Sequence, residues 1–187
     1  MKIKTLLLTS VLLLTILVTG CGGQDRDTDP PQTTPPETEP DVTTTASIVD
    51  DEEDFKAAIS NEGTWIICLT EDLTIEEDIV LDGKYTNGKK DDEGNEIIQR
   101  KVALYSQDEN RNVTNRYTLT APKFTINSPN ASIQHGTFKG DLYVTADNFE
   151  LVDTKVEGNV YFSNEEARST FSMDDESEIS GEQKLQE

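Results

Sequence analysis

The chain has 187 residues, with 16 Lys plus Arg against 37 Asp plus Glu, a formal net charge of −21 and only one histidine and two cysteines. Such an excess of negative charge excludes nucleic acid as a partner and repels anionic lipid headgroups. One histidine and two cysteines do not suffice for a His/Cys zinc centre, and no cofactor-binding motif occurs, so neither a metal nor a cofactor is expected.

The N-terminus carries Lys2 and Lys4 and then an apolar run from Leu6 to Val18 broken only by Thr9, Ser10 and Thr15, with no acidic residue before Cys21. This is the charge and length pattern of an export signal, shorter than the roughly 20 apolar residues of a membrane-spanning helix. It ends in Val18-Thr19-Gly20-Cys21, which resembles the lipobox of bacterial lipoproteins. The resemblance implies transfer of diacylglycerol to the Cys21 thiol, cleavage before it and acylation of the new amino group. The expected location is therefore the bacterial membrane, lipid-anchored and facing outside the cytoplasm. Two or more acyl chains hold a protein stably, at about 0.8 kcal/mol per buried CH₂. Loss of Lys2 and Lys4 with the signal takes the net charge from −21 to −23, so the lipid rather than the protein surface must make the membrane contact.

Residues 21–47 form the next segment. Five of the seven prolines lie here, among Thr, Asp and Glu and without an aromatic residue. That composition cannot bury a core and reads as a disordered tether, extended by at most about 3.1 Å per residue. A capping helix is expected within 48–63: Asp50 as N-cap, Glu53 three residues on, and Phe55, Ala58 and Ile59 on one apolar face, stopping near Asn61-Glu62-Gly63.

Beyond Gly63 the helical period gives way to short apolar alternations, and self-comparison shows an 18-residue repeat. Phe124, Leu142 and Val160 are spaced by it, as are Ile126, Val144 and Phe162. Ala131 and Phe149, Ile133 and Leu151, Phe138 and Val156, Gly140 and Gly158, and Asn130 and Asn148 share the same offset. Strands this short cannot form hairpins and keep the step; they can coil, each stacking on its equivalent at about 4.8 Å. The expected fold is all-β, a single-stranded parallel β-helix of about five to six coils over 64–181, followed by a polar tail at 182–187. Ile67/Leu69, Leu73/Ile75 and Ile79/Leu81 supply a first coil. Val102/Leu104 are read as preceding Phe124/Ile126 by 22 residues, with Tyr117/Leu119 as the third strand of that coil. Lys84 to Arg100 reads as a polar loop leaving the first coil, and Glu165 to Arg168 as a lengthened turn.

This periodicity resembles the right-handed β-helices of the pectin-lyase-like superfamily, and Gly140-Asp-Leu-Tyr-Val144 and Gly158-Asn-Val-Tyr-Phe162 resemble the repeats of polymer-forming bactofilins. The resemblance lies in the period, not in a catalytic motif, and implies fold alone. With a helix over one coil end and acidic residues at Asp174, Asp175, Glu176, Glu178, Glu182 and Glu187 around the other, a monomer is expected over a filament.

If Phe124, Leu142 and Val160 point inward with their partners two residues on, Thr125, Tyr143 and Tyr161 point outward in one column. Tyr143 and Tyr161 are the candidate binding residues, either as a stacking platform for sugar rings or as a cross-strand pair that stabilises the sheet. Asn130 and Asn148 read as an internal turn ladder. Cys68 reads as a small apolar strand residue, and it cannot form a disulfide once Cys21 is acylated. The runs Asp91-Asp92-Glu93 and Asp174-Asp175-Glu176 lack the spaced pattern of a calcium loop. The functional expectation is a noncatalytic surface module that binds a glycan, wall component or protein partner, or serves as a rod. A small polysaccharide lyase or hydrolase, which would need paired carboxylates in a groove, and a self-assembling scaffold are the alternatives.

Overall fold

The computed structural model describes residues 46–186. The expected export signal, Cys21 and almost all of the Pro/Thr segment lie outside the described residues.

The chain opens with β1 (Ser47–Val49) and α1 (Glu52–Ile59). Asp51, rather than Asp50, is the N-cap: its carboxylate accepts the Asp54 backbone N–H at 2.9 Å. The shift follows from β1, whose pairing with the next strand holds Val49 extended and uses Asp50 as the connection. Glu52, Glu53 and Asp54 fill the first turn, where the helix dipole favours them, and Phe55, Ala58 and Ile59 are buried.

Next come β2 (Ile66–Leu69), β3 (Leu73–Thr74) and β4 (Ile79–Leu81), then β5 (Thr86–Lys90) and β6 (Glu96–Ile98). They are followed by β7 (Arg100–Ala103), β8 (Tyr105–Gln107), β9 (Val113–Arg116) and the long β10 (Thr118–Ile126). The rest are β11 (Ala131–Gln134), β12 (Thr137–Val144), β13 (Glu150–Val152), β14 (Lys155–Glu157), β15 (Val160–Phe162), α2 (Glu165–Ser169), β16 (Ser172–Met173), β17 (Glu178–Ile179) and β18 (Gln183–Leu185).

The structure is mostly β. One sheet runs β1-β2-β7-β11-β13-β16, every pair parallel. The second joins β3 and β4 to β10, β10 to β12, β12 to β14 and β15, and these to β17 and β18, again all parallel. The chain therefore alternates between two parallel sheets, five times from β2 onward. Two antiparallel hairpins, β5-β6 and β8-β9, stand apart from them.

The 18-residue offsets recur as backbone partners. Phe124 lies opposite Leu142 and Leu142 opposite Val160; Ile126, Val144 and Phe162 follow in the same way, as do Ile133 with Leu151 and Phe138 with Val156. These inward residues are at most 1% exposed and form one continuous core. Each large side chain so buried contributes about 1.5–3 kcal/mol.

Three expectations are corrected. Val102 does not align with Phe124; it pairs with Ile67 and Ile133 in the first sheet, while Phe124 pairs with Ile79 in the second. The cause is β8-β9, an unforeseen hairpin between the two sheets' strands. The first insertion is a hairpin too, and its supposed last residue, Arg100, belongs to β7 and is fully buried. Residues 183–185 are not a free tail: β18 pairs with β15, Gln183 opposite Val160 and Leu185 opposite Phe162. The segment with α2 lengthens the step from 18 to 22 at Glu150/Ser172, and one more residue between β16 and β17 makes it 23 at Val160/Gln183. Among the described residues no helix is long and apolar enough to cross a membrane.

Candidate functional site

Alternation along the second sheet turns every other side chain outward, and register stacks them in columns. Thr74 lies beside Thr120, Thr120 beside Lys139 and Lys139 beside Glu157; Thr118, Thr137, Lys155 and Glu178 form the next column. A third column holds Val80, Thr125, Tyr143, Tyr161 and Lys184. The lysines are matched: Lys139 and Lys155 reach Glu157 at 3.4 and 3.1 Å, and Lys184 pairs with Glu182. The bond from Lys155 lowers the Glu157 carboxyl pKa, and the same bond raises that of Lys155. These pairs are exposed and each adds little to stability. Their effect is on the field: in a protein of net charge −21, this face is locally balanced and rich in hydroxyls.

Tyr143 and Tyr161 meet as expected, with ring centroids 4.8 Å apart and planes inclined by 30°. The Lys123 ammonium lies 4.4 Å from the Tyr143 centroid, and Lys184 is the backbone partner of Tyr161. Each tyrosine therefore turns a face to its neighbour along the column, so ring edges and hydroxyls, rather than two free ring faces, are what the sheet offers outward. The pair is worth about 0.5–1.5 kcal/mol beyond its buried area.

Asn130 and Asn148 do form a ladder: Asn148 Nδ2 donates to Asn130 Oδ1, and Asn130 Nδ2 to the Ile98 carbonyl, both at 2.9 Å. Their φ angles of 53° and 57° explain the choice of residue, since Asn tolerates the left-handed region. The ladder is at the surface rather than internal, with Asn148 exposed.

A cluster that composition did not signal joins the β8-β9 hairpin to the opposite turn. Arg116 Nη2 donates to Asp153 Oδ2 at 2.5 Å, His135 Nδ1 lies 2.9 Å from the same oxygen, and the His135 ring packs edge-on against Tyr105 at 4.5 Å. His135 and Asp153 are 18 residues apart and both left-handed, at φ 60° and 48°; that shared offset was the signal available. The bond from Arg116 first, then that to His135, holds the Asp153 carboxyl below its ordinary value against its partial burial. Its stabilising contribution is therefore complete above the unfolded carboxyl pKa of about 3.9 and is lost as pH falls through the lower folded value. Acid titration is expected to open the hairpin below about pH 4, and Arg116→Ala to open it at neutral pH. Amide exchange at Val113–Arg116 that is unchanged in Arg116→Ala would refute this latch.

Cys68 faces outward, half-buried, and burial raises its thiol pKa, opposed by the charge of Lys101. It is a free thiol. Asp91 is engaged in its own turn, accepting the Glu93 and Asn95 backbone N–H groups, and Asp174 accepts the Asp153 N–H. Among the described residues no group of three or more His, Cys, Asp or Glu side chains converges as a metal site. Comparison with family models, with curated proteins and with solved structures returns no match to this chain.

Proposed function

We propose that this chain is a lipid-anchored surface module whose folded part is a parallel β-helix of five coils, capped by α1, that binds an extracellular partner without transforming it. Alternation of one chain between two all-parallel sheets at an 18-residue step supports the coil, because a parallel strand must be reached by a crossover and here the crossover is the other sheet. Val18-Thr19-Gly20-Cys21 supports the anchor, and the Pro/Thr segment between them a tether.

The observation that carries the binding reading is the composition of the second sheet's outer face. Threonine columns, a tyrosine pair and mutually neutralised charges lie together on it, while among the described residues the excess acid sits around α1 and in the turns. A neutral, hydroxyl-bearing surface of this kind suits a wall glycan, with the Tyr143 and Tyr161 hydroxyls and edges at its centre.

The test is a Tyr143→Ala/Tyr161→Ala double variant assayed for co-sedimentation with purified wall glycan. Binding is expected to fall by about tenfold, the equivalent of about 1.4 kcal/mol, while far-ultraviolet circular dichroism stays unchanged. Retained binding by the folded double variant would refute the role of this face.

A further inference from the structure

The hairpin β5-β6 does more than interrupt the repeat. Insertions in repeat folds commonly border the binding face, and this one forms one wall of a groove of about 400 Å³ on the first sheet, remote in sequence from the tyrosine column. Its accessible apolar floor is Ile97 and Ile98, backed by the buried Ala131 and Ser132, and its polar groups come from Asn87, Gln99, Asn130, Asn148 and Glu150. The volume falls in the range of small-molecule sites, which pair an apolar floor with a few fixed polar groups.

Hydrogen bonds within the walls fix which of these groups remain open. Asn87 Nδ2 donates to Gln99 Oε1 at 2.9 Å, leaving the Gln99 amide protons to the groove. Asn130 spends its amide on the Ile98 carbonyl and its oxygen on Asn148, so the Asn148 oxygen remains as an acceptor. Ser132 is only 3% exposed and its Oγ accepts from Gln134 Nε2 at 3.0 Å, so it backs the groove rather than serving as an open donor. Glu150 is exposed, and among the described residues nothing donates to its carboxylate. The groove thus presents donors from Gln99, at the junction of β6 and β7, and acceptors from Asn148, in the turn before β13, and from Glu150 on β13.

We propose that this groove is a second binding site, specific for a neutral pyranose unit such as the terminal residue of an uncharged glycan. A sugar hydroxyl both donates and accepts, which is the mixture offered here, and adjacent hydroxyls match the two oxygens of one carboxylate through charge-assisted bonds. The apolar floor suits the C–H face of the ring. Among the described residues that line the groove Glu150 alone is charged, and it repels a uronate or a phosphosugar, so an anionic sugar is excluded.

The experiment is a titration of the full ¹⁵N-labelled chain in detergent with glucose, galactose, mannose and N-acetylglucosamine, each at high millimolar concentration, with glucuronate as the charged probe. At least one neutral sugar is expected to shift the side-chain amide signals of Gln99 and Asn148 and the backbone signals of Ser132 and Glu150. Glucuronate is expected to bind at least about tenfold more weakly, and Glu150→Gln, an exposed isosteric change, to weaken the neutral sugar by about tenfold. Absence of groove shifts with all four sugars overturns the site. Shifts confined to Tyr143 and Tyr161 also overturn it while leaving the tyrosine face intact. Equal binding of glucuronate and glucose, or of wild type and Glu150→Gln, overturns the assignment to a neutral ligand held by that carboxylate.

Discussion

Arg100→Met is expected to lower the stability of the folded unit by about 3–4 kcal/mol, the consequence of leaving buried acceptors without donors. Arg100 is fully buried, yet no carboxylate pairs with it. Its Nη1 donates to the Asp82 carbonyl at 2.6 Å, and its Nη2 to the carbonyls of Ala58 and Ser60 at 2.7 and 3.0 Å. Ala58 and Ser60 lie at the C-terminal end of α1, where the helix dipole is negative and its last carbonyls lack partners. The guanidinium also stacks 4.0 Å from the centre of the Tyr85 ring, and Tyr85 donates its hydroxyl to the same Ser60 carbonyl. Burial lowers the Arg100 pKa, with Tyr85 and Asp82 opposing the shift, but a guanidinium remains charged at neutral pH.

Methionine keeps the apolar stem and removes every one of these bonds at once. Lysine keeps the charge but not the planar fork that reaches three carbonyls from two nitrogens, so Arg100→Lys is expected to recover no more than about half of the loss. Because the bonds join α1 to the first strands, amide exchange in Phe55–Ile59 should accelerate more than exchange in β12. Urea unfolding of Arg100→Met within about 1 kcal/mol of wild type, with α1 still protected, would show that the helix is held by Phe55 and Ile59 alone.

Arg100 also shows why some of the fold was hidden in the sequence. An arginine beside Gln99 and Lys101 reads as the end of a polar loop, and nothing in spacing says that three carbonyls distant in sequence will close around it. The inward columns were legible because apolar side chains at one offset have a single explanation, and their partners in the second sheet follow it from Phe124 to Phe162. Val102 was misplaced because β8-β9 also alternates and so passes for part of a coil. A usable signal was present: Asp91 and Asn95 repeat the spacing of Asp108 and Asn112, and the two hairpins close with the same bonds. In both, the aspartate accepts two backbone N–H groups and the asparagine amide, and the residue before the asparagine has φ of 88° at Gly94 and 67° at Arg111.

The tyrosine pair was equally legible, since register alone places Tyr143 beside Tyr161. The cation over Tyr143 was not, because Lys123 belongs to the neighbouring column and reaches the ring only through its long side chain. The groove beneath β5-β6 depends on where a hairpin folds back, which its sequence does not encode. The Asn130 and Asn148 ladder was visible as a repeat, but not the use of its remaining oxygen as part of a wall.

Gly140→Ala is expected to destabilise the protein by about 3 kcal/mol or more, through backbone strain added to a collision that side chains cannot relieve. A Cβ at Gly140 would lie 1.8 Å from the Ala121 carbonyl oxygen, and the residue has φ of 139°, a conformation that glycine alone adopts at low cost. The same contact recurs at the next two glycines: a Cβ at Gly158 would meet the Gly140 oxygen at 1.9 Å, and one at Gly181 the Gly158 oxygen at 2.4 Å. Each glycine lets the next turn of chain settle directly on the carbonyl below.

The residues that follow depend on that close approach. Asp141 Oδ1 accepts the Asn159 backbone N–H at 2.8 Å and its side-chain amide at 3.0 Å, and Asn159 Oδ1 accepts the Glu182 N–H at 3.0 Å. A methyl group that pushes one strand pair away therefore breaks the ladder on both sides. Gly140 and Gly158 lie among strands paired on both sides, whereas among the described residues no strand pairs beyond β17 and β18, which flank Gly181 and can shift outward. The expected order of loss is Gly140→Ala, then Gly158→Ala, then Gly181→Ala at about 1 kcal/mol. Urea unfolding of the three variants reads that order directly. Equal losses would mean that β17 and β18 are as constrained as the inner strands, and losses below about 0.5 kcal/mol would mean that the backbone yields and that the strand stacking does not depend on these glycines.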